Sequence, residues 1–119
     1  MISANDIRTQ ISDPRFLEAV FNKEADWDAE LDARDADEFA DAWNASYDKV
    51  NATGVAENQV IEEIRESAYK QTYRITQNPD LAGYVSDDFG LMAMAFEHKI
   101  DLAFIHTLWD SYVKGTFPR

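Results

Sequence analysis

Residues 91–112 read LMAMAFEHKIDLAFIHTLWDSY. Two apolar segments lie on either side of the short polar break Glu97–Lys99. Leu91, Met92, Met94 and Phe96 come from the first. Phe104, Ile105, Leu108 and Trp109 come from the second, with Leu102, Ile105, Trp109 and Tyr112 at helical intervals from about Asp101. Segments that are apolar over most of their circumference belong inside a bundle. The expectation is a C-terminal helical hairpin at the centre of the core.

Working outward, the remaining apolar residues also recur with the period of a helix. Phe39, Trp43, Tyr47 and Val50 stand at i, i+4, i+8 and i+11, which predicts a helix over about Asp35–Thr53. Val60, Ile61, Ile64, Ala68 and Ile75 predict another, roughly Val55–Gln77. Phe16, Leu17, Val20 and Phe21 predict a first helix over Pro14–Glu24 with Asp13 as its cap. A short helix at Trp27–Ala33 would pack through Trp27 and Leu31. Asn78-Pro79 suits a helix start, because Pro at the first helical position loses no hydrogen bond. Ser86, followed by Asp87 and Asp88, then reads as a second cap that divides this region in two. Gly54 and Gly115 stand where helices should stop. No alternating run bounded by tight turns points to a strand. The fold class is therefore all-α: a single-domain bundle of five to six helices over residues 1–119.

Composition narrows the functional classes. The 119 residues are 45% hydrophobic and 13% aromatic, enough for one core. There is no cysteine, hence no disulfide or thiolate metal site. The N-terminus lacks a basic, apolar signal, and the longest apolar run, Leu91–Phe96, is far short of the roughly 20 residues that span a bilayer. A soluble cytoplasmic protein is expected. With 23 acidic and 11 basic side chains the net charge is -12. That disfavours direct contact with nucleic acid or anionic membrane and favours a basic partner.

Much of the acidity is concentrated. Glu24–Asp48 holds ten acidic residues and one basic residue, Arg34. Asp37, Asp41, Asn44 and Asp48 fall opposite the apolar face of their helix, a carboxylate row that repels itself. It reads either as a solvated face or as a docking surface that speeds encounter with a basic partner. Asp26, Asp28, Glu30, Asp32 and Asp37 match five positions of a calcium loop, but Leu31 stands where the sharp turn needs Gly. His98 and His106 sit in no metal motif, although His106 and Asp110 could meet across one helical turn. No nucleophile elbow, P-loop or dinucleotide fingerprint is present. The expectation is no enzyme, no catalytic residue, no metal and no cofactor. Glu62, Glu66, Tyr69 and Tyr73 share one stripe, either packed at its edges or available to a partner, since tyrosine is favoured at interfaces.

The segment Leu81–Arg119 includes Tyr84-Val85-Ser86-Asp87-Asp88-Phe89 and ends Leu108-Trp109-Asp110-Ser111-Tyr112-Val113-Lys114-Gly115-Thr116-Phe117-Pro118-Arg119. It resembles the C-terminal half of small helical immunity proteins of bacterial toxin–immunity systems, those of contact-dependent inhibition or type VI secretion. The resemblance covers about a third of the chain and rests on caps and core aromatics. It implies a protein that neutralises one cognate toxin by occluding its active site or substrate channel. A basic toxin surface, such as that of a nuclease, would suit the acidity. The candidate contact residues are Asp26, Trp27, Asp28, Glu30, Asp37, Asp41 and Asp48, with Glu62, Glu66, Tyr69 and Tyr73. The alternatives are an acidic DNA-mimic inhibitor, whose carboxylates would repeat about every 5–6 Å along a helix, and a non-catalytic regulatory subunit.

Overall fold

A computed structural model describes residues 2–54 and 56–119. Within them lie seven helices and no strand: α1 Ala4–Ser12, α2 Pro14–Phe21, α3 Trp27–Arg34, α4 Asp37–Ala52, α5 Gln59–Thr76, α6 Pro79–Glu97 and α7 Ala103–Val113. The protein is all-α, with more helices than the expected five to six. Val55, the expected start of α5, lies outside the described residues, as does Met1.

Side chains set most of the helix starts. Ser3 and Asp6 form a reciprocal capping box before α1. Asp13 caps α2 with Pro14 at the first position, and Asp26 caps α3 through the Ala29 N–H at 3.1 Å. Asn58 and Asn78 cap α5 and α6 at 3.0 and 3.1 Å. α7 begins at Ala103, two residues after the expected start, with no side-chain cap. Beyond its end at Val113, Gly115 has a positive φ of 79° that permits the Thr116 N–H to reach Ser111 O at 2.9 Å.

The core is organised around α6. From Leu81 to Phe96 nearly every side chain is buried, on all sides of the helix. α5 packs along it more extensively than any other helix, α1 and α2 lie against α5, and α3, α4 and α7 close the remaining sides. The centre is thus the α5–α6 pair rather than an α6–α7 hairpin. α6 is also one helix, not two. Ser86 is no cap: it is buried and donates its hydroxyl to Arg65 O at 3.1 Å. Gly90 lets Arg65 lie across α6, since a Cβ there would stand 2.8 Å from Arg65 Cδ.

α1 was not expected. Its Ile7 and Ile11 are completely or almost completely buried, one turn apart, and Ala4 is buried with them. α4 is shallower than its periodicity suggests. Val50 and Ser46 are buried, Phe39 and Trp43 are half-buried, and Tyr47 is exposed. α2 stops at Phe21, short of Glu24, and His106 pairs with Asp101 at 2.7 Å rather than with Asp110.

Candidate partner-docking face

The acidic run folds into α3 and α4. Asp26, Asp28, Asp37, Asp41 and Asp48 are exposed, whereas Glu30 and Trp27 are half-buried. Their surroundings differ. Asp26 is the α3 cap, Asp28 accepts from Asn78 Nδ2 at 3.3 Å, and Glu30 pairs with Arg119 at 3.0 Å. Trp27 leans on Phe21 and Phe117, with ring centroids 5.3 and 6.2 Å apart. Asp37, Asp41 and Asp48 form no salt bridge among the described residues. On α5, Glu62, Tyr69 and Tyr73 are exposed and Glu66 pairs with Lys70 at 2.8 Å. That contact draws the Glu66 carboxyl below the ordinary range. The two tyrosine rings stack, 6.4 Å apart and 3° from parallel. The acidic and tyrosine sets therefore occupy different helices, with α6 beneath both.

Arg34, the single cation of the acidic run, is buried. Its Nη1 and Nη2 each donate to Asp88, at 2.7 Å on both sides of the carboxylate. Trp43 Nε1 donates to Asp88 Oδ1 at 2.9 Å, and the Tyr112 hydroxyl donates to Oδ2 at 2.7 Å. One carboxylate on α6 thereby joins α3, α4 and α7. Phe39 and Phe117 stack on the guanidinium, 4.7 and 4.8 Å from its carbon, and Tyr84 lies 5.5 Å away. Burial opposes the charge on Arg34, but the attraction and hydrogen bonds of Asp88 prevail and raise its pKa. Burial, reinforced by the adjacent Asp88 charge, holds the Tyr112 phenol well above the ordinary tyrosine range.

Two adjoining hollows open beside this cluster, between α4 and α6. The smaller, about 200 Å³, has the Arg34–Asp88 pair at its base, Phe39, Trp43 and Tyr84 around it, and Asp35 and Asp87 at its mouth. The larger, about 500 Å³, runs between α4 and Arg65 of α5 over Leu91 and Met94. It is bounded by Tyr47, whose ring stacks on Trp43 at 5.6 Å. Trp43 and Asp87 belong to both. Across the larger hollow Arg65 bridges Glu57 at 2.6 Å and Asp87 at 3.1 Å.

A sequence-family model described as immunity protein PIM1 matches residues 6–119. The chain belongs to the immunity protein PIM1 family. The match takes in α2 to α7 and most of α1, so membership extends over the N-terminal two-thirds and not only over the C-terminal segment that carried the resemblance. No curated protein is similar enough to the chain to count as a match.

The PIM1 family membership gives the exposed α3–α4 face its interest. Neither Arg34, Asp88, Asp87, Asp35 nor Tyr84 stood among the expected contact residues, yet all five line the smaller hollow between α4 and α6. The signals for the buried pair were a lone arginine in an acidic run and an aspartate midway along a largely apolar helix. Among the described residues no helix is long and apolar enough to cross a membrane.

Proposed function

We propose that this immunity protein binds one cognate bacterial toxin in the cytoplasm and neutralises it by covering its active site or substrate channel. The supporting observation is the row Asp37, Asp41 and Asp48, exposed along α4 without salt bridges among the described residues, in a chain of an immunity family with net charge -12. Unpaired carboxylates on a rigid helix attract a basic surface over nanometre distances and speed encounter. A nuclease, built to bind polyanions, offers such a surface. Asp26, Asp28 and Glu30 on α3 extend the negative field. Half-buried Trp27, or the stacked Tyr69 and Tyr73 with Glu62 and Glu66, would supply the anchors that slow dissociation. The reading calls for no cofactor, metal or catalytic residue.

The test is co-expression with any secreted toxin found encoded beside its gene, in the setting of contact-dependent inhibition or type VI secretion. Wild-type protein should protect the cell and co-purify with the toxin. Changing Asp37, Asp41 and Asp48 together to Asn should slow association by about tenfold or more at low salt, with less effect at high salt. Absence of protection, or a complex indifferent to ionic strength and to these changes, would overturn the reading.

A further inference from the structure

Resting on that reading, we propose that the smaller hollow between α4 and α6 admits one arginine side chain of the toxin. Its volume of about 200 Å³ suits one long side chain and is too small for a helix, which is about 10–12 Å across. Three aromatic rings, Phe39, Trp43 and Tyr84, line its sides together with Ala40 and Asn44. Asp88 neutralises Arg34 at the base through two hydrogen bonds. The carboxylates left in the hollow are those of Asp35 and of Asp87, the latter shared with Arg65 in a salt bridge of 3.1 Å. Asp35 uses Oδ1 to accept from the Tyr84 hydroxyl at 3.0 Å, and Asp87 uses Oδ1 to accept from Arg65 at 3.1 Å. The other oxygen of each takes no hydrogen bond among the described residues. A hollow with aromatic sides and two carboxylate oxygens to spare is complementary to a cation that is flat and rich in donors. Guanidinium meets both demands, stacking on an aromatic face while its edge donates to carboxylates, whereas an ammonium has no plane to stack. Partial burial already pushes the Asp87 carboxyl above its ordinary range, with Arg65 opposing. An arriving cation would offset that cost.

The probe is N-acetyl-arginine methylamide, titrated into isotope-labelled protein while the three indole N–H signals are followed by NMR. A saturating shift at Trp43, absent at Trp27 and Trp109, is expected, with a dissociation constant on the order of 1 mM. The neutral citrulline analogue should not produce it. The double variant Asp35→Asn/Asp87→Asn, checked for an unchanged melting temperature, should bind the probe at least about tenfold more weakly. Equal binding of the citrulline analogue, or shifts spread over all three indoles, would overturn the proposal. With toxin, the double variant should dissociate about tenfold faster. An unchanged dissociation rate overturns the arginine assignment and leaves neutralisation standing. Wild-type protein that does not bind the toxin at all overturns the neutralisation reading itself, and the toxin as source of the arginine with it.

Discussion

Arg34 and Asp88, 54 positions apart, face each other through two parallel hydrogen bonds of 2.7 Å, with both side chains out of solvent. Asp88 also takes hydrogen bonds from Trp43 and Tyr112, so its charge is compensated from three helices. A buried pair of this kind adds little over a well-packed apolar pair, but loss of one partner strands the other charge. Asp88→Asn should therefore cost about 3–5 kcal/mol in urea unfolding. Combining Arg34→Met with Asp88→Leu should recover part of the loss. The recovery should be incomplete, because Trp43 Nε1 and the Tyr112 hydroxyl would still lack their acceptor.

The same cluster governs behaviour in alkali. Burial and the neighbouring Asp88 charge raise the Tyr112 phenol, and the hydrogen bond to Asp35 raises that of Tyr84. In the unfolded chain both ionise near about pH 10. Above that pH the unfolded state gives up protons that the folded state keeps. Stability is thus full below pH 10 and falls as the pH rises beyond it, by about 1.4 kcal/mol per pH unit for Tyr112. Tyr112→Phe should cost about 1–3 kcal/mol at neutral pH through the lost hydrogen bond to a charge. It should also flatten the alkaline decline. Chemical denaturation at stepped pH measures both.

The helical class was legible because its signals are local. Phe39, Trp43, Tyr47 and Val50 recur at helical spacing, and Asp13, Asn78 and Gly115 mark helix ends in the structure as in the sequence. What escaped depended on distant partners. Ile7 and Ile11 are the only large apolar residues of α1, and two residues one turn apart do not make a pattern. Ser86-Asp87-Asp88 reads as a cap because those residues favour caps. It becomes helix interior because Arg65 O accepts the Ser86 hydroxyl and Asp88 accepts from Arg34. The Arg34–Asp88 pairing also forms the base of the smaller hollow, so that part of the site was hidden for the same reason. The carboxylate row is different: its exposure follows from the period of α4 alone.

A second departure from local preference lies after α6. Lys99 adopts φ 57°, and the Ile100 N–H reaches back to Ala95 O at 2.8 Å, a helix ending that suits glycine. A side chain in the left-handed region costs roughly 1–2 kcal/mol, part of which glycine would lose again through the greater freedom of its unfolded chain. Lys99→Gly should raise stability by about 0.5–1 kcal/mol. Its exposed side chain makes no salt bridge among the described residues, so no contact opposes the gain. Thermal unfolding should show a higher midpoint.

The acidic row of α4 should trade stability for encounter. Asp41 repels Asp37 one turn away, and Asp48 sits near the negative end of the helix dipole, where an anion is unfavourable. Asp37 differs, because in the first turn of α4 its charge is favoured. Asp41→Asn and Asp48→Asn should each stabilise the fold by about 0.3–1 kcal/mol at low ionic strength. Asp37→Asn should weaken it slightly. Near 1 M salt, where the screening length is about 3 Å, these differences should vanish. Yet all three substitutions should slow association with the toxin at low salt. Stability and association rate, measured on the same variants, would then move in opposite directions for Asp41 and Asp48. A face kept only for solubility would show the stability gain without the loss in rate.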